Sequence, residues 1–236
     1  MIDKIRAGAT AALDTVHSGA SVVIGGFGRT GVPVDLIDAL CDRDVRELHV
    51  IANNGGQGLP GERGIGRLLA ENRVKKFSCS FPVNPAFFRR YFDGEVEIEL
   101  VPQGTLAERL RAGGSGLGGF YTPTAAGTIL ADGGFVMRHG TPEKTLPSKE
   151  QRVIDGRTYV LESPLRPDFA LVKADRADRY GNLRFRLGAR NFNPLAAMAA
   201  RTTVVQADHI GSLAPDDIHL PGPFVDHLVR TEPEAA

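Results

Sequence analysis

Two spacings of apolar residues alternate along this chain. Short β-branched runs close abruptly on loop residues: Val22-Val23-Ile24 on Gly25-Gly26, and Leu48-His49-Val50-Ile51 on Asn53-Asn54. Val74 to Phe81, Phe169 to Ala174 and Thr202 to Gln206 are of the same kind, and all five read as buried strands. Between them lie apolar positions at helical spacing. Val34, Ile37, Leu40 and Cys41 follow Pro33; Ile65, Leu68 and Leu69 lie in a helix over 62–72; Pro85 opens an aromatic helix; and residues 193–201 form a small-residue helix. The first 19 residues carry Ile5, Ala9, Ala12, Leu13 and Val16 on one side and predict an amphipathic helix. In Glu95–Val101 the alternation of Val96, Ile98 and Leu100 with three glutamates predicts a half-buried strand with its acidic face in water. Thr105-x-x-Glu108 fits a capping box at the head of a helix over 105–112. Residues 133–150 show no period and read as a mobile excursion, whereas the apolar runs around Asp155-Gly156 signal a hairpin. Strands alternating with helices, and no Pro/Ser-rich linker between them, predict one α/β domain over 1–236. Its mainly parallel open sheet should be covered on both faces, a three-layer α/β/α arrangement.

Charge and composition narrow the classes of partner. The 28 basic residues balance the 28 acidic ones in 236, which argues against nucleic acid or a membrane surface. Cys41 and Cys79 stand in apolar surroundings without C-x-x-C spacing, as buried free thiols of a cytoplasmic protein do. No signal-peptide or membrane-spanning run is visible, and no metal-ligand spacing occurs. Glycine is in excess and clusters at 25–31, 55–66 and 113–127. No repeat period accompanies these clusters, so they read as ligand-facing loops. In the first, Gly26-Phe27-Gly28-Arg29-Thr30-Gly31 satisfies G-x-G-x-x-G between a strand and a helix. A dinucleotide site would carry an acid where the second strand ends, and Asn53-Asn54 stand there instead. Two readings remain open: an anion seat built from loop amides and the following helix N-terminus, or a turn used only for close packing.

Taken in order, the motifs resemble the α (A) subunit of the family I CoA-transferases. The resemblance runs through Ser18–Pro33, Asn53-Asn54, VPQGTLAERLRAGG (101–114), Gly116-x-Gly118-Gly119-Phe120 and FYTPT (120–124). It continues through YVLE (159–162), GNL (181–183), ARNFNP (189–194) and PGPFVDHLV (221–229), while CSFP (79–82) is nearest the 3-oxoadipate branch. Ser18 stands where the family usually has Asp or Asn. Ala125-Ala126 replace the Gly-Tyr common after FYTPT, which removes any contact made by that tyrosine. The resemblance implies ping-pong transfer of CoA from succinyl-CoA to a 3-oxo acid through a glutamyl-CoA thioester. The family carries that glutamate in a Ser-Glu-Asn-Gly motif on its β subunit. This chain has no such motif; its nearest fragment is Glu71-Asn72-Arg73. The resemblance thus implies half of an α2β2 enzyme, with no catalytic nucleophile of its own. No cofactor would be permanently bound, and the CoA thioester would be substrate. Gly25, Gly26, Phe27, Gly28, Arg29, Thr30 and Gly31 would touch CoA. Asn53, Asn54 and Gln103 would donate to acyl or carboxylate oxygens, and Gly116, Gly118, Gly119 and Phe120 would shape the site beside the partner.

Two rival readings use the same loops. A sugar-phosphate isomerase would need a carboxylate base in a glycine-rich loop, for which only Glu62 offers itself. A silent sensor of CoA esters or sugar phosphates would need an attached output module, and none is visible in the 236 residues.

Overall fold

The computed structural model describes residues 3–231. The chain makes one helical turn, α1 (Ala9–Ala12), and then alternates: β1 (Ser21–Ile24), α2 (Val34–Cys41), β2 (Leu48–Ile51), α3 (Ile65–Ala70), β3 (Val74–Cys79), α4 (Pro85–Phe92), β4 (Glu97–Leu100) and α5 (Gln103–Gly114). An outlying segment follows, with β5 (Phe120–Thr122), α6 (Ile129–Asp132), β6 (Val136–Arg138), β7 (Lys144–Thr145), β8 (Gln151–Ile154) and β9 (Arg157–Glu162). The chain then returns through β10 (Phe169–Ala177), β11 (Leu183–Arg184), α7 (Asn193–Ala199), β12 (Thr202–Ile210) and β13 (His227–Arg230).

The main sheet runs β13-β12-β10-β1-β2-β3-β4, all parallel, with β11 antiparallel against β10. Val22 and Ile24 of β1 point to a core shared with α1 to α4, whereas Val23 between them points to a core shared with α5 and α7. Both faces are therefore covered, which is why these strands read as unbroken apolar runs. The three-layer α/β/α arrangement expected from the alternation is what forms. From β1 the chain proceeds toward β4; from β10 it proceeds toward β13. The pair β1/β10 is therefore the place where the winding reverses, and in open parallel sheets ligands bind beyond the strand ends at such a point.

Four local expectations give way. Only Ala9–Ala12 of the N-terminal stretch is helical. Arg6 N–H donates to Leu228 O (2.8 Å) and Leu228 N–H to Lys4 O (2.8 Å), so residues 4–6 lie along the otherwise unpaired edge of β13. Satisfying that edge outweighs weak helical propensity in a segment broken by Gly8. Ala12, Leu13 and Val16 are nevertheless buried, as their spacing implied. The capping box does not form either. The helix starts two residues earlier, behind Pro102, so Thr105 lies inside it with its hydroxyl buried and unpartnered, and Glu108 pairs with Arg111 at 2.7 Å.

Of the three glutamates only Glu95 is exposed to water; the two within β4 are not. Glu99 accepts from Arg109 Nη1 (2.8 Å) and Ser78 Oγ (2.6 Å), and Lys144 Nζ reaches Glu97 at 2.6 Å. Alternation reveals which residues share a face, but α5 and the 133–150 segment decide whether that face is wet. That segment is itself a folded flap rather than a loose excursion. Strands β6 and β7 pair, and Lys149 Nζ reaches Glu162 at 2.6 Å. The Asp155-Gly156 hairpin forms as read, with both residues at positive φ (48° and 75°), the requirement of a type I′ turn.

Candidate functional site

Four parallel strands end side by side, and the residues just past their ends face one another: the glycine loop after β1, Asn53-Asn54 after β2, Ser80 after β3 and Gln103 after β4. The loop after β1 folds back on itself. Phe27 N–H donates to Thr30 O (3.0 Å) and Thr30 N–H to Phe27 O (2.9 Å), which leaves Gly28 and Arg29 at the tip. Gly28 has φ +58° and open space where a Cβ would stand. Gly26 has φ +112° and would drive a Cβ to 2.7 Å from Val32. At the tip only the left-handed backbone disfavours a side chain, whereas at the base a neighbour also blocks it, so the glycine at 26 serves the packing of the loop.

Asn193, the first residue of α7, holds the loop from behind. Its Nδ2 donates to Gly31 O and Ala189 O, both at 2.9 Å, and its Oδ1 accepts from Lys173 N–H at 2.9 Å. Asn191 Nδ2 adds a bond to Thr30 O at 3.1 Å. A Cβ on Gly25 would come within 2.7 Å of Asn193 Cγ, so that glycine permits the close approach. Sequence reasoning misses both asparagines. They belong to the ARNFNP motif, but they lie some 160 positions from the loop and nothing local signals the contact.

Side-chain amides line the next position. Gly28 N–H donates to Asn54 Oδ1 (3.0 Å), and Asn53 Nδ2 meets the same oxygen at 3.4 Å. Asn53 Oδ1 in turn accepts from Gln103 Nε2 (2.9 Å) and Ser80 Oγ (2.6 Å). Gly28, Asn54, Asn53 and Gln103 are thereby gathered into one connected row. Gly28, Arg29 and Asn54 also wall an open cleft of about 810 Å³, closed by residues 56–66 on one side and by Lys173, Gln206 and Thr231 on another. Arg29 makes no side-chain hydrogen bond or ion pair among the described residues. Lys173, by contrast, is bound to Asp208 and to Thr231 Oγ1.

The anion seat suggested by the glycine loop is partly filled by the protein itself. The amides of Phe27, Thr30 and Gly28 are engaged as above. At the start of α2, Gln206 Oε1 accepts from Asp35 N–H (3.1 Å) and Leu36 N–H (3.4 Å). With Asp35 in that first turn, the helix end does not invite an anion. The amides of Gly26, Arg29 and Gly31 make no hydrogen bond among the described residues and remain available.

Residues 116–120 are placed elsewhere. They follow α5, whose 12 residues separate them from Gln103 by about 18 Å at 1.5 Å per residue. Gly119 lies flat on β9, where a Cβ would stand 3.0 Å from Glu162 O, while Gly118 has open space around it. Gly116 and Phe120 belong to this second locus, which the fold does not bring to the amide row.

No carboxylate in the neighbourhood is free. Glu62 accepts from the backbone amides of Gln57 (2.8 Å) and Gly58 (2.6 Å), so it shapes the 56–66 loop rather than serving as a base. Burial works against ionised Glu99, but Arg109, Lys76 and the bonds from Arg109 and Ser78 outweigh it and hold its carboxyl well below the usual range. Burial lowers the neighbouring His49 to about 4, with Lys76 adding to the effect, so the imidazole that meets Ser78 Oγ at 2.8 Å is neutral near pH 7. Burial also pushes the Cys79 thiol far up and the Cys41 thiol to about 12, and both are free and buried, as expected. No His/Cys/Asp/Glu group among the described residues is arranged to hold a metal ion, and no helix among them is long and apolar enough to cross a membrane.

The chain is 44% identical over 242 residues to the A-type subunit of the 3-oxoadipate CoA-transferase of Pseudomonas putida, covering 100% of this chain and 97% of that one. It is 45% identical over 230 residues to the A-type subunit of a probable succinyl-CoA:3-ketoacid coenzyme A transferase of Bacillus subtilis, covering 96% and 89%. Among solved structures, an acyl-CoA transferase of Escherichia coli O157:H7 shares the fold at TM-score 0.79 and 22% identity; the match takes in 100% of this chain and 48% of that one, about half its length. Glutaconate coenzyme A-transferase of Acidaminococcus fermentans superposes at TM-score 0.76 with 20% identity, over 96% of this chain and 75% of that one. Residues 6–231 match the family model described as Coenzyme A transferase. The chain belongs to the coenzyme A transferase family.

Proposed function

We propose that this chain is the α subunit of a two-subunit CoA-transferase that moves CoA from succinyl-CoA to 3-oxoadipate, working in the cytoplasm as an α2β2 assembly. The observation that carries the reading is 44% identity along the whole chain to the corresponding subunit of a 3-oxoadipate CoA-transferase. The site agrees with a subunit that supplies donors and no nucleophile. Asn53, Asn54 and Gln103 offer N–H groups, while Glu62 and Glu99 are both committed to structural bonds. In this reading a glutamate of the partner carries the glutamyl-CoA thioester. The amide row steadies the oxyanion formed when its carbonyl, or that of the acyl-CoA, is attacked. Residues 25–31 approach CoA, and the locus at 116–120 faces the partner. Metal and permanently bound cofactor play no part.

A second acceptor is supported by a specific observation. The matching subunit of a succinyl-CoA:3-ketoacid coenzyme A transferase of Xanthomonas campestris reaches 48% identity, so overall identity does not separate the acids. A second carboxylate distinguishes 3-oxoadipate from a monocarboxylic 3-oxo acid, and leaving it desolvated without a partner is costly. Arg29, uncommitted at the loop tip, is the cation we assign to such a carboxylate, since Lys173 and Arg63 on the same cleft are already paired.

The test is steady-state transfer from succinyl-CoA to 3-oxoadipate and to acetoacetate, by the chain alone and with its co-expressed partner subunit, for wild type and Arg29→Ala. We expect no turnover by the chain alone, a higher kcat/KM for 3-oxoadipate with the partner, and a selective loss for that acid in the variant. Turnover by the isolated chain would overturn the half-enzyme reading. Higher kcat/KM for acetoacetate would instead assign the acceptor to the 3-ketoacid class, and equal losses for both acids would move Arg29 to the CoA side.

A further inference from the structure

A side-chain amide can be turned end for end at almost no cost in shape, so its orientation must be imposed by its neighbours. In the row Asn54–Asn53–Gln103 one neighbour is not reversible. Gly28 N–H is a donor by covalent structure, and it lies 3.0 Å from Asn54, which must therefore turn its oxygen that way. The same oxygen faces Asn53 at 3.4 Å, so Asn53 must present its NH₂ there; the other orientation would set two carbonyl oxygens against each other. The Asn53 oxygen then points the opposite way, toward Gln103 at 2.9 Å, and Gln103 must answer with nitrogen. Ser80 Oγ has one hydrogen and lies 2.6 Å from Asn53 Oδ1 and 3.0 Å from the Asn53 backbone oxygen, which competes for it, so the direction of the row rests on Gly28 and not on Ser80.

We propose that the backbone N–H of Gly28 sets, through Asn54 and Asn53, the amide orientation of Gln103, whose NH₂ gives one hydrogen to Asn53 and keeps its second for the reacting carbonyl. Asn54 and Asn53 are then positioning residues for Gln103, in addition to any contact of their own. That Gln103 faces a reacting carbonyl rests on the proposed transferase function; the direction of the row does not. An orientation settled before substrate arrives leaves no reorganisation for the moment of reaction, which is where a donor of this kind acts. Asn53 is 6% exposed, so water offers little alternative to the bond it makes with Gln103.

The experiment places a titratable group at the end of the row. In the full chain, Gln103→Glu is prepared with ¹³C-labelled glutamate, and the carboxyl of the introduced side chain is titrated by NMR with Asn54 present and in an Asn54→Ala background. With Asn54 present, the introduced carboxylate meets the Asn53 oxygen, which disfavours the ionised form. Without Asn54 the Asn53 amide is free to turn and donate, so the carboxyl pKa should fall by about one unit. Asn54→Ala changes no charge, so the influence of the α5 N-terminus is the same in both backgrounds. A pKa equal within about 0.3 unit in the two backgrounds, or higher without Asn54, would overturn the proposal. Asn54→Ser, which likewise removes the carbonyl, repeats the measurement if the alanine variant does not fold. Because the readout is a titration, its outcome is independent of whether the chain supports CoA transfer.

Discussion

The contact between Asn193 and the glycine loop can be tested by a double-mutant cycle whose sign follows from the geometry. Asn193 is fully buried and makes three hydrogen bonds, to Gly31 O, Ala189 O and Lys173 N–H. Asn193→Ala leaves all three backbone groups without a partner; at about 1 kcal/mol each the loss is about 3 kcal/mol. For a chain of this size that corresponds to a Tm lowered by about 6–12 °C. Gly25→Ala fails for the opposite reason. Gly25 is not at positive φ, so its backbone accepts alanine, but the new Cβ lies 2.7 Å from Asn193 Cγ and closer still to Oδ1. Overpacking of this kind costs about 1–3 kcal/mol, and the upper end applies because Asn193 cannot move without releasing its bonds. Combined, the two changes should cost about 3 kcal/mol, well short of the roughly 6 kcal/mol of their sum, because the Cβ enters space vacated by the carboxamide. Urea unfolding of wild type, both singles and the double, followed by far-UV circular dichroism, measures the cycle. Additivity within about 0.5 kcal/mol would show that Gly25 and Asn193 do not compete for one volume.

Three further outcomes follow from the site and its support. His49 is lowered from 6.5 to about 4, chiefly by burial, so the neutral form that stabilises the fold is fully present above pH 6.5 and its contribution is lost as pH falls toward 4; His49→Gln should flatten the urea midpoint over that window, and an unchanged profile would refute the assignment. The Glu99 carboxyl, held low despite its burial, contributes stability above its ordinary value of 4.5 that is lost as pH falls below it; Glu99→Gln should remove the acid limb and, because the Glu99 charge opposes the lowering of His49, carry the His49 window to lower pH. Gly118 has open space and no positive φ, so Gly118→Ala should leave stability within about 0.5 kcal/mol of wild type. A loss of turnover in the complex at unchanged stability would then place the 116–120 loop against partner or substrate, and full turnover would make it a spacer.

How much of this was legible in the sequence depended on how far apart the interacting residues lie. The strands were legible because burial on both faces leaves a run such as Val22-Val23-Ile24 with no polar position, whereas Asn53, Asn54 and Gln103 stood out as site residues only through the family resemblance. The fate of Glu97 and Glu99 was not legible, since their alternation with Val96 and Ile98 is the same whether water or Arg109 and Lys144 lies opposite. Residues 4–6 escaped helix because an edge created more than 200 positions later, at Leu228, needed a partner. The clamp on the glycine loop was hidden for the same reason, as Asn193 reads locally as the start of a small-residue helix.

This dependence on distance also decides between the two readings of the glycine loop that the sequence left open. Gly25 and Gly26 are required by packing, against Asn193 and Val32, whereas Gly28 at the tip is favoured by its left-handed backbone and not by any neighbour. Its amide is committed to Asn54, and that commitment orders the neighbouring amides. The loop is thus a packing turn at its base and a source of direction at its tip. A ligand arriving at the ends of β1 to β4 would meet the unbonded amides of Arg29 and Gly31, the Arg29 guanidinium and the carboxamides of Asn54 and Gln103, so that donors predominate. An array of donors around no free carboxylate suits a species that brings its own negative charge, as a thioester under attack by a carboxylate does. It could not begin that attack itself, because the nearby carboxylates are held by Arg109 and by the amides of the 56–66 loop. In the proposed transferase the nucleophile would come from outside this chain, and another subunit closing over the site would complete it.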